Sequence, residues 1–134
     1  MLILWGDAGA GKSTDAREFD SDRFHKPRNR WWDGYFGQRT VIIDDFYGWL
    51  PIDELLRMVD RAPYRVEFKG GSVEFLSKWL IITSNHHWTE WWPNSLRGPL
   101  VDAFARRIHG ILRYTGQYPD NSVELIKDKF QTIF

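Results

Sequence analysis

The segment from Gly6 to Ser13 is the part of this sequence whose residue types and spacing point most directly to chemistry. It reads Gly-Asp-Ala-Gly-Ala-Gly-Lys-Ser, which matches the phosphate-binding pattern G-x-x-x-x-G-K-[ST]. Glycines here let successive backbone N–H groups converge on phosphate oxygens, and a following helix adds the positive end of its dipole. Lys12, exposed on this loop, would neutralise the β- and γ-phosphates of ATP, and the Ser13 hydroxyl would ligate Mg²⁺. The residues predicted to bind the nucleotide are Gly6, Asp7, Ala8, Gly9, Ala10, Gly11, Lys12, Ser13 and Thr14.

Two adjacent carboxylates follow the second apolar run of the chain. Val41–Ile43 is typical of a buried strand, and Asp44 and Asp45 come directly after it. Carboxylates at the end of a buried strand are costly unless a cation accompanies them. We therefore assign Asp44 to the Mg²⁺ ion and Asp45 to the attacking water, which it would orient or deprotonate. The alternative interpretation is a pair of solvated acids, or a helix cap, at the end of the strand.

Asn85 follows a third apolar run, in the order Thr83-Ser84-Asn85. The carboxyl ends of parallel strands share one edge of a sheet, so we expect Asn85 to lie near the glycine-rich segment. Its amide would hydrogen-bond the γ-phosphate or the attacking water. A turn-forming asparagine explains the residue equally well when it is taken alone.

The elements that must position these side chains can be outlined from the apolar pattern. Strands are predicted over 1–5, 41–43, 79–83 and 108–114. Helices are predicted over 12–19, 51–60, 99–107 and 123–133. A β-hairpin is predicted around Gly70-Gly71, between 64–68 and 73–75, and residues 20–39 are expected to be irregular or weakly extended. Strands that alternate with helices indicate an α/β domain with a mainly parallel sheet.

The composition sets limits on the class of protein. The chain has 134 residues, which corresponds to about one domain, and it has no cysteine, which excludes disulfides and thiolate chemistry. Its 18 basic and 18 acidic residues cancel, so overall charge gives no support for nucleic-acid binding, although local patches remain open. No apolar run is long enough for a membrane span, and we expect no membrane partner.

The order of the motifs along the chain resembles the helicase part of circovirus-type replication initiator (Rep) proteins, which are superfamily 3 helicases of the AAA+ class. The resemblance covers roughly residues 2–115 and rests on GDAGAGKS, WWDGYFGQRTVIIDDFYGWLP, EFKGGSVEFL and LIITSN. It implies an AAA+-type P-loop NTPase fold, α/β, with a mainly parallel central sheet flanked by helices. We accordingly divide the chain into an ATPase core at 1–115 and a helical C-terminal extension at 116–134.

The resemblance also implies roles for the residues of the nucleotide site. Gly6–Ser13 looks like the Walker A motif, Asp44 and Asp45 look like Walker B, and Asn85 looks like the polar sensor of motif C. Lys12, Asp45 and Asn85 would then take part directly in ATP hydrolysis.

Two further motifs lie outside that site. Lys69, Gly70 and Gly71 look like the family's motif between B and C, and a lysine at a hairpin tip is well placed to meet a DNA backbone. An ordinary exposed lysine is the alternative. Arg106 and Arg107 are placed like the arginine finger, which would complete the active site of a neighbouring subunit. The alternative is that both arginines cap the negative end of a helix.

The function that the resemblance implies is an ATP- and Mg²⁺-dependent DNA helicase for viral rolling-circle replication. ATP would be hydrolysed at subunit interfaces of a hexameric ring on single-stranded DNA, in the host nucleus. Two other functions are compatible with the same phosphate-binding pattern: a small-molecule phosphotransferase of the nucleotide-kinase type, and a non-catalytic module that binds ATP and DNA.

The sequence departs from the family pattern in one respect. Circovirus-type Rep proteins carry an N-terminal endonuclease domain with a paired-histidine metal site, whereas this chain starts at the Walker A strand. We therefore expect a helicase-domain fragment or the product of a truncated gene. His86 and His87 lack the spacer residue of that metal motif and are interpreted as loop residues. Six aromatic residues could stack on bases, but packing in the core or at an interface is favoured: Trp31, Trp32, Tyr35, Phe46, Tyr47 and Trp49.

Overall fold

The computed structural model describes residues 1–60 and 62–128. Within them lie three α-helices, α1 (Lys12–Phe19), α2 (Ile52–Val59) and α3 (Pro99–Arg106), and a 3₁₀ helix at Trp88–Glu90. The strands are β1 (Leu2–Gly6), β2 (Arg23–His25), β3 (Thr40–Ile43), β4 (Arg65–Phe68), β5 (Gly71–Glu74), β6 (Trp79–Ser84), β7 (Gly110–Thr115) and β8 (Ser122–Asp128). No helix in this part of the chain combines the length and the apolar character that crossing a membrane would require.

Six strands form one sheet in the order β2-β3-β6-β1-β7-β8. The first five of these run parallel to one another, and β8 pairs antiparallel with β7. The register sets Leu4 beside Thr83 on β6 and Gly6 beside Tyr114 on β7. The segments that follow β1, β3, β6 and β7 therefore all emerge at the same edge of the sheet, as the fold class predicted.

The central strands are buried on both faces, which is why they read as continuous apolar runs. Ile3 on β1 packs with Phe104 of α3 in the larger core cluster, on one face of the sheet. Its neighbour Leu4 points to the other face and packs with Ala16 of α1. Helix α1 is thus fixed against the sheet directly after the glycine-rich segment.

Strands β4 and β5 form a separate two-stranded sheet, so the predicted hairpin is confirmed. Phe68 pairs with Gly71, which leaves Lys69 and Gly70 as the turn between the strands. Val66 is buried and anchors the hairpin on the core, while its tip lies in solvent.

The prediction of a helix over 123–133 is wrong for the part that the structure describes. Ser122–Asp128 is the edge strand β8, and residues 129–134 lie outside the described residues. Glu124 and Lys127 are compatible with a helix, but the hydrogen bonds offered by β7 favour a strand. β2 is a short addition within the segment that was expected to be irregular or weakly extended. The other predicted elements are present, with ends that differ by at most a few residues.

Candidate active site

The glycine-rich segment Gly6–Ser13, called the glycine loop from here on, requires glycine at two positions for different reasons. Gly6 has φ +137°, and a Cβ there would lie 2.0 Å from the Tyr114 carbonyl oxygen, so only glycine fits. Gly11 has φ +92° and immediately precedes α1, which has no side-chain cap. The first N–H groups of α1 are therefore directed to the open side of the loop, which is the arrangement that binds phosphate.

Lys12 is buried rather than exposed, which corrects our expectation. Its Nζ lies 3.0 Å from the Gly6 carbonyl oxygen, 2.5 Å from that of Asp7 and 3.0 Å from Asn85 Oδ1. Only 6% of the residue is accessible to solvent. Burial lowers the pKa of the Lys12 ammonium, while the negative charges of Asp45 and Asp7 oppose that change. A positive charge is thus held under the glycine loop by oxygen atoms, next to the amide of Asn85.

The Ser13 hydroxyl and the Asp44 carboxylate are in direct contact. Ser13 lies at the end of the glycine loop after β1, Asp44 follows β3, and only β6 lies between these two strands in the sheet. Ser13 Oγ donates to Asp44 Oδ1 at 2.9 Å, and Thr83 Oγ1 of the intervening strand β6 donates to the same oxygen at 2.7 Å. The Asp45 N–H in turn donates to Thr83 Oγ1 at 3.0 Å. Thr83 is fully buried and thereby fixes both acidic residues relative to the glycine loop.

Asp45 has a backbone conformation that is unusual for its type, with φ +50°. Aspartate tolerates this left-handed region better than most residues. The turn directs the Phe46 side chain into the core. The backbone N–H of Phe46 donates a hydrogen bond to the Thr83 carbonyl at 2.8 Å. As a result the Asp45 carboxylate remains exposed beside the glycine loop.

Lys12, Ser13, Asp45 and Asn85 line one cleft of about 400 Å³, and Asp44 reaches it through its bond to Ser13. It is formed by residues 8–14 together with Asp45, Asn85 and Tyr118. That volume lies within the range of small-molecule sites. The structure thus brings together the predicted residues of the glycine loop, Lys12, Ser13, both aspartates and Asn85.

The donor set at Ser13 and Asp44 is compatible with Mg²⁺. This ion prefers hard oxygen ligands, keeps several waters, and is commonly held by one or two protein groups together with substrate phosphates. Among residues 1–60 and 62–128 there is no cluster of three or more His, Cys, Asp or Glu residues that could hold a metal. A hydroxyl and a carboxylate beside a phosphate-binding loop fit an ion shared with a nucleotide.

The turn after β7 is a part of the site that the sequence analysis missed. The Gly116 N–H donates to Asp7 Oδ2 at 2.9 Å, Gln117 Nε2 donates to the Ala8 carbonyl at 2.9 Å, and the Tyr118 N–H donates to the Gly9 carbonyl at 2.9 Å. Gly116 and the Pro119-Asp120 dipeptide are turn signals that could have indicated a loop here. Their proximity to the glycine loop could not have been read from the sequence.

The two arginines lie away from the cleft. Arg106 and Arg107 come just before β7, whereas the glycine loop lies beside its far end, roughly 13 Å further along the strand from Gly110 to Tyr114. Arg107 is half-buried and its Nη1 donates to the Ala103 carbonyl at 2.8 Å, which is the capping arrangement that we considered. The side chain of Arg106 is exposed, and its Nε donates to the Asp102 carbonyl at 3.3 Å, so both arginines bond carbonyls near the end of α3.

The hairpin tip is not part of the cleft lining, and Lys69 is exposed there. The Lys69 N–H donates to Asp33 Oδ1 at 2.7 Å, and nothing lies within 4 Å of the position of a Cβ on Gly70. The tip is therefore held at its backbone while the Lys69 side chain remains in solvent.

The aromatic residues of the motif region mainly pack in the core. Trp32, Tyr35 and Phe46 are buried, and Trp31 and Trp49 are half-buried. Tyr47 differs, since 53% of it is exposed and Arg28 lies over its ring. His86 and His87 lie between β6 and the 3₁₀ helix, where His87 Nδ1 contacts the Thr89 hydroxyl at 2.7 Å.

The parallel sheet with a glycine loop after β1 defines an α/β domain of the P-loop NTPase type. Residues 2–86 match the model of the RNA helicase family. The replication-associated protein of porcine circovirus 1 is 46% identical over 134 residues, covering 98% of this chain and 42% of that protein. Those of goose circovirus and human associated cyclovirus 1 are 48% and 52% identical, covering 86% and 60% of this chain and 39% and 31% of their own lengths.

The chain belongs to the RNA helicase family, as a helicase domain of the circovirus Rep type. It spans less than half the length of each of these three relatives.

Proposed function

We propose that this domain is an ATP-driven DNA helicase module of a viral rolling-circle replication initiator, working as a hexameric ring on single-stranded DNA. The observation that carries the proposal is the meeting of two pairs at one sheet edge, Lys12 with Asn85 and Ser13 with Asp44. A glycine-rich turn without a chemical role would have no need for a buried lysine beside a hydroxyl–carboxylate pair.

The glycine loop and Lys12 bind the triphosphate. Backbone N–H groups at the start of α1 donate to phosphate oxygens, and the Lys12 ammonium exchanges its contacts with Asn85 and the loop carbonyls for the β- and γ-phosphates. Because Lys12 is already desolvated in the fold, much of the cost of burying this charge is met before the nucleotide arrives.

Ser13 and Asp44 would hold Mg²⁺. When bound, the ion supplies positive charge that neutralises the β- and γ-phosphate oxygens. Thr83 keeps the Asp44 carboxylate turned toward Ser13 through its own hydrogen bond.

Asp45 and Asn85 act on the water that attacks the γ-phosphate. The exposed Asp45 carboxylate accepts a hydrogen bond from this water and receives its proton, and the Asn85 amide fixes its position or that of the γ-phosphate. The Asp45 N–H bond to Thr83 keeps this carboxylate at the cleft during the reaction.

A neighbouring copy of the domain supplies the remaining positive charge. Arg106 lies away from the cleft of its own chain and its side chain is exposed, with Nε 3.3 Å from the Asp102 carbonyl oxygen, so the arginine finger that we assign to it acts on a site of another copy. Arg107 is assigned a structural role, because it is half-buried and its bond to the Ala103 carbonyl, at 2.8 Å, is shorter than that of the exposed Arg106 to Asp102. Lys69 at the hairpin tip contacts the phosphate backbone of single-stranded DNA.

Phosphate release from ATP, measured with and without single-stranded DNA, tests the proposal. We expect release that requires Mg²⁺ and increases with DNA. Formation of ADP only when a phosphate acceptor is added would favour the kinase type, and binding of ATP and DNA without turnover would favour the non-catalytic module. Equal stimulation by single-stranded RNA would overturn the assignment of DNA as the strand on which the domain moves.

A further inference from the structure

The cleft has two chemically different ends, and the sheet order sets which is which. Asp45 follows β3 and Asn85 follows β6, on one side of β1, whereas Tyr118 follows β7 on the other side. If the reacting γ-phosphate lies at the end with the carboxylate and the amide, the rest of a nucleotide must extend across the glycine loop toward β7. The side chain that it meets there is that of Tyr118.

The Tyr118 ring lies directly over the start of α1. A Cβ placed on Gly11 would come within 2.8 Å of Tyr118 Cδ2, which shows how closely the ring approaches the loop backbone. Even so, 57% of Tyr118 is exposed, and the residue lines the cleft. An aromatic ring at the mouth of a phosphate-binding cleft offers a flat apolar surface beside the phosphates.

The position of this ring is fixed by the turn that carries it. Three consecutive residues, Gly116, Gln117 and Tyr118, bond three consecutive residues of the glycine loop, 7–9. Because each bond is about 2.9 Å, the backbone that carries the ring is fixed against the glycine loop, and the ring starts from a position beside the cleft.

We infer that Tyr118 is the stacking platform for the nucleobase of the bound nucleoside triphosphate, an inference that rests on the proposed ATPase function. A ring face recognises a base by its π-surface, which every nucleobase has. The Gln117 amide nitrogen, which could read the edge of a base, is instead bonded to the Ala8 carbonyl. The site therefore accepts ATP and GTP with similar affinity and binds pyrimidine nucleotides, whose face is smaller, more weakly.

The test compares nucleoside triphosphates that differ in their base with inorganic tripolyphosphate, which lacks the whole nucleoside. Dissociation constants for ATP, GTP, CTP and inorganic tripolyphosphate are measured by calorimetry, with Mg²⁺, for the full chain and for Tyr118→Ala and Tyr118→Phe. We expect Tyr118→Ala to weaken ATP and GTP about tenfold and to leave tripolyphosphate unchanged, while Tyr118→Phe binds all of them as the wild type does. Phe36→Ala, which removes an 87% exposed ring elsewhere, is the matched control and should change none of these constants.

The outcomes separate this inference from the function on which it rests. Binding of ATP that depends on Lys12 but is indifferent to Tyr118→Ala would overturn the stacking role and leave the proposed function standing. An equal loss of tripolyphosphate in Tyr118→Ala would also overturn it, since the ring would then only support the loop. A strong preference of the wild type for ATP over GTP would contradict recognition by the ring face. If the wild type shows no Lys12-dependent ATP binding, the proposed function and the inference both fail.

Discussion

The cleft and the hairpin tip use lysine in opposite ways. Lys12 is buried and bonded to three oxygen atoms from two segments of the chain, so its ammonium is part of the folded structure. Lys69 is exposed, and what fixes it is the bond from its backbone N–H to Asp33. The Lys12 ammonium is thus held by hydrogen bonds inside the cleft, whereas the Lys69 ammonium is presented to solvent at the hairpin tip.

This difference separates two kinds of expected mutational effect. A change at the cleft alters the hydrogen bonds among β1, β3 and β6 as well as the chemistry, so stability and activity change together. A change at the Lys69 side chain should remove only the contact with DNA that we propose, and should leave the fold as it is. Substitutions at the two sites can therefore establish which parts of the domain are scaffold and which are contact surface.

The largest effect is expected for Lys12→Ala. It should abolish ATP hydrolysis, because no other positive side chain of the cleft replaces this one at the transferred phosphate. The carbonyls of Gly6 and Asp7 and the Asn85 amide also lose their donor, at a cost of about 1–3 kcal/mol in the free energy of unfolding. Phosphate release and urea unfolding measure the two effects, and Lys78→Ala, which removes an exposed lysine, is the control. Undiminished hydrolysis by Lys12→Ala would refute the assignment of the glycine loop.

Arg106→Ala should lower ATP turnover by about 10³-fold and weaken the fold less than Arg107→Ala does, because we propose that its guanidinium acts on another copy and its bond to the Asp102 carbonyl is exposed to solvent. Mixing Arg106→Ala with Lys12→Ala, each inactive alone, should restore part of the activity, since some interfaces then combine an intact lysine with an intact arginine. Arg107→Ala, the neighbouring control, should lose stability rather than gain activity on mixing. The trans-acting role is wrong if Arg106→Ala hydrolyses ATP normally or if no mixture recovers.

Asp45→Asn separates binding from turnover within the cleft. The substitution should retain ATP binding, because Ser13 and Asp44 remain paired, and should reduce turnover by about 10²–10⁴-fold through loss of the base. Nucleotide titration and single-turnover hydrolysis distinguish the two quantities. Weakened binding with normal turnover of the bound fraction would mean that the roles of Asp44 and Asp45 are reversed.

Lys69→Ala tests the hairpin side of the comparison. It should weaken single-stranded DNA binding several-fold and reduce the slope of log affinity against log salt by roughly 0.7, the value for one lost phosphate contact. The melting temperature should not change, because only the backbone of Lys69 is bonded to Asp33. Fluorescence anisotropy at several salt concentrations gives the slope, and Lys78→Ala again serves as the control. Identical DNA affinity in the wild type and Lys69→Ala would make Lys69 an ordinary surface residue.

The smallest effect is expected at an ion pair that belongs to neither site. Hydrogen bonds from Arg39, the Asp22 N–H and Thr40 hold the pKa of Asp20 below its usual range. A lowered pKa stabilises the fold above the unfolded-state value near 4, and this contribution is lost progressively as the pH falls from there through the still lower folded-state pKa of Asp20. Melting temperatures from pH 7 to pH 3 should therefore fall more for the wild type than for Asp20→Asn. Parallel curves for the two proteins would show that Asp20 does not contribute in this way.

The sequence predicted the elements that depend mainly on neighbouring residues, namely the first helix and the central strands. Helix α1 begins and ends where the glycine pattern and the following helix-forming residues indicated, and the apolar runs gave the central strands. The wrong helix at Ser122–Asp128 shows the limit, because its strand is determined by pairing with β7 and not by its own residues.

The same limit applies to the site. The sequence indicated which residues would meet, because parallel strands end at one edge, but not how Lys12 would be held there. Its burial depends on Asn85, 73 positions away, and the turn at Gly116–Tyr118 reaches the glycine loop from about 109 positions away. Contacts of this kind are set by how the sheet is assembled, which no local pattern records.

The most direct test of the account is the rate of phosphate release as a function of single-stranded DNA concentration for the wild type, Lys12→Ala and Lys69→Ala. We predict DNA-stimulated release by the wild type, none by Lys12→Ala at any DNA concentration, and stimulation of Lys69→Ala that requires several-fold more DNA. Release by the wild type that does not respond to DNA, or release by Lys12→Ala at the wild-type rate, would contradict a helicase in which the buried lysine serves ATP and the exposed one serves the strand.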